Sequence, residues 1–270
     1  MTVSQALVLE ELLEGKGYAK KPGGLLAGLE GKLRLASELP SRSEPRTPLP
    51  TGAASLDSLL EGGLPKGKLV ELVGRRSSGR FSIGIAALAT QTSRGEAAAL
   101  VDLGGNLDPS IAEAAGVDLQ CLLWARPQKL KDALASAEML LATGFPLVVL
   151  DLGLPPVRGE RYAPDAAWVR LARAAQTQGA ALLVSSPFRM SGIAAEVVLS
   201  AGSGGVRWQG GGESLRLLIG VSARLRLEKD SHSRPGASVA EPLVVIEAVG
   251  AGLVPAPTIP IDQVAIRLSA

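Results

Sequence analysis

The stretch Leu69-Val-Glu-Leu-Val-Gly-Arg-Arg-Ser-Ser-Gly-Arg-Phe-Ser82 constrains this chain more than any other. It opens with a short Val- and Leu-rich run, long enough for a buried strand. A loop bounded by Gly74 and Gly79 follows, and then Ile83-Gly-Ile-Ala-Ala-Leu-Ala-Thr-Gln-Thr92, which reads as a helix. Strand, glycine-bounded loop and helix form the context a phosphate-binding loop requires, because backbone N–H groups and the positive helix end converge on an anion. The usual pattern is G-x-x-x-x-G-K-[ST]. Gly74 and Gly79 keep that spacing, but Arg80 stands in the lysine position and Phe81 in the hydroxyl position. The candidate phosphate-binding set is therefore Gly74, Arg75, Arg76, Ser77, Ser78, Gly79, Arg80, Phe81 and Ser82.

The rest of the composition fits a globular chain around this loop. Hydrophobic residues make up 46% of the 270 and aromatics only 3%, so the core is built from Ala, Leu and Val. No apolar run approaches the length of a membrane span, and Met1-Thr-Val-Ser-Gln lacks the basic start and apolar run of a secretory signal. The lone cysteine, Cys121, lies in the apolar run Cys-Leu-Leu-Trp-Ala and reads as a buried thiol in a reducing cytosol. A net charge of +2 identifies no partner. Its distribution says more: Arg75, Arg76 and Arg80 crowd the loop, Arg158 and Arg161 follow a strand end, and Arg224, Arg226, Lys229 and Arg234 share one segment. Clusters of this kind suit either a solvated face or a polyanion partner.

Along the chain, residues 1–50 read as an arm and linker. Two weak helical patterns, near 5–13 and 25–39, precede the Pro-rich run 40–50. From 51 to about 250 the pattern is α/β. Short helices at Ser55–Leu60, Asp108–Gly116, Gln128–Thr143 and Asp165–Gln178 alternate with strands at Ala97–Leu103, Leu119–Trp124, Leu147–Asp151 and Ala180–Ser185. Such alternation predicts a mainly parallel sheet with helices on both faces. Ligands of such sheets bind beyond the C-terminal strand ends, which places Gly74, Asp102, Asp151 and Ser185-Ser186 on one rim. Beyond Ile193, runs at 196–200, 206–208, 215–227 and 243–249 are separated by Gly-rich stretches and predict an antiparallel extension. Trp124 and Trp208 read as core or pocket wall, His232 has no ligand partners nearby, and residues 251–270 form an irregular C-terminal segment.

The order of these segments resembles the RecA recombinase core. The residues that carry the likeness are Thr51-Gly52, Leu56-Asp57, Gly62-Gly-Leu-Pro-x-Gly67, Val70-Glu71, the loop from Gly74 to Gly79, Asp108-Pro109, Gly116-Val-Asp118 and the strand ending in Asp151. The compact size, divergent loop and unrelated arm resemble the bacterial ImuA proteins. That resemblance implies a DNA-binding accessory protein of error-prone translesion synthesis. It would be cytoplasmic and nucleoid-associated, with an ImuB-like inactive Y-family polymerase as partner, RecA as a second candidate partner, and self-association compatible with the fold. It further implies ATP or ADP at the loop, and Asp151 as the candidate catalytic residue that would orient magnesium.

The departures weigh against turnover. Phe81 has no metal-ligating atom, and magnesium is doubtful on that ground, although Ser82 lies one position later. The resemblance places Gly104 where RecA has its water-activating glutamate, and Pro187 where it has a phosphate-sensing glutamine. Loss of a general base costs about 10²–10⁴ in rate. The first loop that grips single-stranded DNA in RecA is shortened here. It offers Arg158, Arg161 and Tyr162 as DNA contacts, while Arg224, Arg226, Lys229 and Arg234 form a second basic set. Three functions stay open on these residues: the DNA-binding accessory factor, a slow DNA-stimulated ATPase using Arg80 and Asp151, and a SulA-like division inhibitor acting by protein contacts alone.

Overall fold

The structure, a computed structural model, describes residues 47–153, 163–209, 217–230 and 236–245, all within the unit Arg46–Ala270. The expected arm at 1–46, the C-terminal segment, His232, and the proposed DNA contacts Arg158, Arg161, Tyr162 and Arg234 lie outside the described residues.

The elements in chain order are α1 (Ala54–Leu59), β1 (Leu69–Gly74), α2 (Arg80–Thr92), β2 (Ala98–Asp102), α3 (Pro109–Ala114), β3 (Leu122–Ala125), α4 (Leu130–Ala142), β4 (Leu147–Asp151), α5 (Asp165–Gln178), β5 (Ala181–Ser186), β6 (Val197–Gln209), β7 (Leu217–Lys229) and β8 (Ser238–Val245). They build one eight-stranded sheet in the order β3-β2-β4-β5-β1-β6-β7-β8. Strands β1 to β6 run parallel where they pair, and β7 and β8 are added antiparallel. This is the α/β core that the alternation and the RecA resemblance led us to expect.

The sheet separates two apolar clusters. One joins α1, α2 and α3 through Leu56, Ile83, Leu88 and Ala112 to the sheet residues Leu72, Leu100 and Val149. The other joins α4 and α5 through Leu141, Trp168 and Leu171 to Val101, Val148 and Leu182. A strand buried on both faces reads as a continuous apolar run rather than an alternating one. β2 and β4 are buried at every position, and they are those continuous runs.

Local chemistry explains several of the motif residues. Asp57 accepts from the Thr51 amide (2.9 Å), the Thr51 hydroxyl (2.7 Å) and the Gly52 amide (3.2 Å), which ties the entry turn to α1. Asp108 caps α3 as expected, accepting from the amides of Ser110 and Ile111, with Pro109 in the first helical position. Glu241 of β8 reaches back across the chain to accept from the amides of Ser55 (2.8 Å) and Leu56 (3.3 Å) at the start of α1.

The largest difference from the sequence reading is β6. The runs 196–200 and 206–208 are one thirteen-residue strand that passes through Gly202, Gly204 and Gly205. Glycine there does not mark a turn. It accommodates a register shift between Ser203 and Gly205, and a side chain at Gly204 would stand 2.8 Å from the Ala223 backbone.

Candidate functional site

The expected rim is formed. In the sheet register Asp102 lies beside Asp151, and Asp151 beside Ser185, so β2, β4 and β5 end together. The loop after β1 ends at Gly79, the N-cap of α2, whose φ of 88° belongs to the left-handed region. A side chain at Gly79 would stand 2.5 Å from Leu243 and 3.0 Å from Ala223, so β7 and β8 close directly against the loop.

The side chains on the rim are committed to one another. Arg80 is the first residue of α2, and only 6% of its surface is exposed. It turns inward rather than toward the mouth of the loop. Its Nη1 donates to Asp151 Oδ1 at 2.8 Å and to the Ser185 hydroxyl, and its Nη2 donates to the Gly153 carbonyl. Asp151 is fully buried. Its Oδ1 also accepts from the Ser185 hydroxyl at 2.7 Å, and its Oδ2 accepts from the Asn106 side-chain amide at 2.7 Å. Asp102 holds the turn that supplies Asn106, accepting from the amides of Asn106 and Leu107, each at 3.0 Å. The result is a closed ion pair whose donors and acceptors are satisfied within the protein, the condition under which charges are tolerated in an interior.

This geometry corrects the expectation that Arg80 offers its charge to a phosphate. That charge is spent on Asp151. Phe81 packs against the apolar cluster beneath α2, and Ser82 is exposed on the helix. Arg75, Arg76 and Ser77 are exposed at the crown of the loop, and Ser77 has a positive φ of 58°. Ser78 is buried with a hydroxyl that has no hydrogen-bond partner. Gly104 is equally informative. A Cβ there would lie 2.4 Å from the Asn106 side chain, 2.6 Å from Gly153 Cα and 3.0 Å from Asp151 Oδ2. The position of the RecA glutamate is therefore packed against backbone and leaves no space for an acid.

A magnesium–nucleotide does not fit these residues as arranged. The lysine-position charge is paired, the metal-orienting carboxylate has both oxygens occupied, the hydroxyl position is an aromatic ring in the core, and the base position is closed. The exposed arginines and the unpartnered Ser78 hydroxyl are what remains of the phosphate cradle.

The second basic set divides. Arg224 and Arg226 are exposed on one face of β7, alternating with the buried Ala223, Leu225 and Leu227. Lys229 instead donates to the backbone carbonyls of Ala195 and, at 3.5 Å, Ile193. Trp208, read from sequence as core or wall, is 53% exposed, whereas Trp124 packs on the core with Arg126 stacked 4.7 Å over its ring. Cys121 is half-buried rather than buried, and its thiol donates to Asp118 Oδ2 at 3.7 Å. Desolvation first, and then the Asp118 carboxylate, push its pKa above the usual thiol value.

Sequence reasoning missed two residues. Asn106 completes the shell of Asp151; its only signal is its place in the turn after Asp102. Glu71, fully buried in β1, accepts from the Ser186 hydroxyl (3.0 Å), the Met190 amide (2.7 Å) and both the amide and hydroxyl of Ser191, and so fixes the segment that leaves β5.

Fold and rim together define the class: a three-layer α/β core with a glycine-bounded loop after β1 at its rim. Residues 34–154 match the model of the RecA N-terminal domain. The chain is 38% identical over 131 residues to Protein RecA of Saccharopolyspora erythraea, covering 47% of this chain and 38% of that protein. It is 41% identical over 102 residues to Protein RecA of Nostoc sp., covering 37% of this chain and 29% of that protein. The crystal structure of the RadB recombinase superposes with a TM-score of 0.54 at 19% identity, covering 71% of this chain and 94% of that one. The chain thus carries a RecA-like core, and these matches support a place in the RecA-like recombinase superfamily. It spans well under half the length of the RecA proteins it matches.

Proposed function

We propose that this chain is a DNA-binding accessory protein with a RecA-like core, acting in error-prone translesion synthesis as ImuA-type proteins do, and that it works without nucleotide turnover. The carrying observation is the buried pair of Arg80 and Asp151. Two groups that a RecA-like ATPase would direct at phosphate and magnesium are used here to hold α2 against β4. The phosphate loop becomes part of the scaffold. RecA-like ancestry and the exposed arginines support DNA as the partner. An ImuB-like inactive Y-family polymerase relative, and RecA itself, are the proposed protein partners, with the cytoplasmic nucleoid as the site of action.

The test is phosphate release from ATP with magnesium and single-stranded DNA, run beside DNA binding on the same preparation. DNA binding with release at the level of buffer alone is the expected result. Release that is stimulated by DNA and abolished by Asp151→Asn establishes the slow-ATPase reading instead. Absence of binding to any DNA favours an inhibitor of the SulA type. Co-purification of the chain with a purified ImuB-like protein, in DNase-treated samples, tests the mutasome assignment separately.

A further inference from the structure

Strands β6 and β7 run together for thirteen residues each, although only Val197 to Ala201 of β6 pairs with the parallel sheet. The remainder is a ribbon with two different faces. On one, Ala223, Leu225 and Leu227 are buried against the core. On the other, Arg226 pairs across with Ser200, Arg224 with Gly202, and Gly220 with Arg207. Cross-strand partners project to the same side of a sheet, so Arg207, Arg224 and Arg226 share the outer face, and all three are exposed. Their β8 neighbours on that face, Ser238 and Ala240, are also small and exposed.

Arg224 and Arg226 are two residues apart on one strand, about 7 Å, and Arg207 lies opposite a position four residues further along, about 13 Å away. The result is a cationic track over a floor of glycine and serine. The carboxylate on it is Glu228, which takes the Ser200 hydroxyl at 2.7 Å and lies 3.8 Å from Arg226. That exposed pair is weak and readily exchanged. Trp208 follows Arg207 directly in β6 and so projects to the opposite face.

We propose that this outer face of β6 and β7 contacts a single-stranded nucleic acid, with Arg207, Arg224 and Arg226 meeting its backbone phosphates. The inference rests on the DNA-binding reading and assigns it a surface. Fixed charges in a line suit a polymer with one charge per repeat. The glycine and serine floor lets the sugar–phosphate chain approach the sheet. A positively charged surface that tracks the backbone holds single strands without sequence preference.

The full chain is titrated against a fluorescent oligothymidylate by polarisation at several salt concentrations. Arg207→Gln/Arg224→Gln/Arg226→Gln should make the slope of log affinity against log salt shallower by about 2, from three contacts at about 0.7 each. Trp208→Ala, on the opposite face, should leave both affinity and slope unchanged. The triple Arg→Lys variant should keep the wild-type slope. A triple Gln variant with wild-type slope, or a slope lost only in Arg75→Gln/Arg76→Gln, overturns the assignment while leaving the DNA-binding reading intact. No binding by the wild-type chain defeats that reading itself. Polyglutamate competing as well as the oligonucleotide assigns the face to an acidic protein. Photocrosslinking of a bromouracil strand to the unmutated chain gives a check independent of variant folding: adducts should map to peptides of β6 and β7, and adducts confined elsewhere overturn the proposal.

Discussion

The pair of Arg80 and Asp151 depends on the particular chemistry of arginine. A lysine at position 80 would be a point charge on a flexible stem, whereas arginine carries a planar fork that reaches Asp151, Ser185 and the Gly153 carbonyl at once. Once the pair is buried, removing one partner strands the other. Asp151→Ala is expected to cost about 3–5 kcal/mol, while the double change Arg80→Met/Asp151→Leu recovers most of that stability. Urea denaturation of the two variants beside the wild type checks this. Gly104→Glu, which restores the acid of the RecA pattern, should destabilise by about 1–3 kcal/mol and bring no ATP hydrolysis, because the new side chain meets Asn106 and the Gly153 backbone. Cys121 supplies a pH-dependent readout. Its raised pKa leaves less thiolate at pH 7–8 than an ordinary cysteine, so alkylation there should be slower than for a model thiol and should accelerate only at higher pH. None of these side-chain directions was legible beforehand. Spacing identifies which residue occupies the lysine position, but it does not say whether a guanidinium points out of the loop or into the sheet.

At the level of elements, the sequence was informative wherever a strand or helix is self-consistent. Continuous apolar runs marked β2 and β4, and Asp108-Pro109 marked the start of α3. The rim followed from strand ends alone. β6 was not legible, because glycines that usually break a strand are here used to bend one and to let β7 approach. Trp208 was misjudged for the same reason: without a continuous ribbon its exposed position could not be anticipated. The last strand matters to the first helix through Glu241, which occupies the α1 amides. Glu241→Ala should therefore destabilise by about 1–2 kcal/mol, as the loss of a helix cap does. Equilibrium unfolding measures it, and a change below a few tenths of a kcal/mol would show that the link between β8 and α1 contributes little.

For the whole molecule, a RecA-like sheet carries Arg80 and Asp151 as an internal ion pair. Two core layers, a rim closed by an internal ion pair and an arginine-bearing ribbon describe a scaffold for binding. Among the described residues no helix is long and apolar enough to cross a membrane. The central claim is that DNA is bound by a core that does not use nucleotide. Its most direct test is the affinity of the full chain for single-stranded DNA, measured by polarisation with and without saturating magnesium–ATP. The account predicts the same affinity and the same steep salt dependence in both. An affinity that shifts tenfold or more on adding magnesium–ATP, with the shift lost in Arg80→Ala, would contradict it.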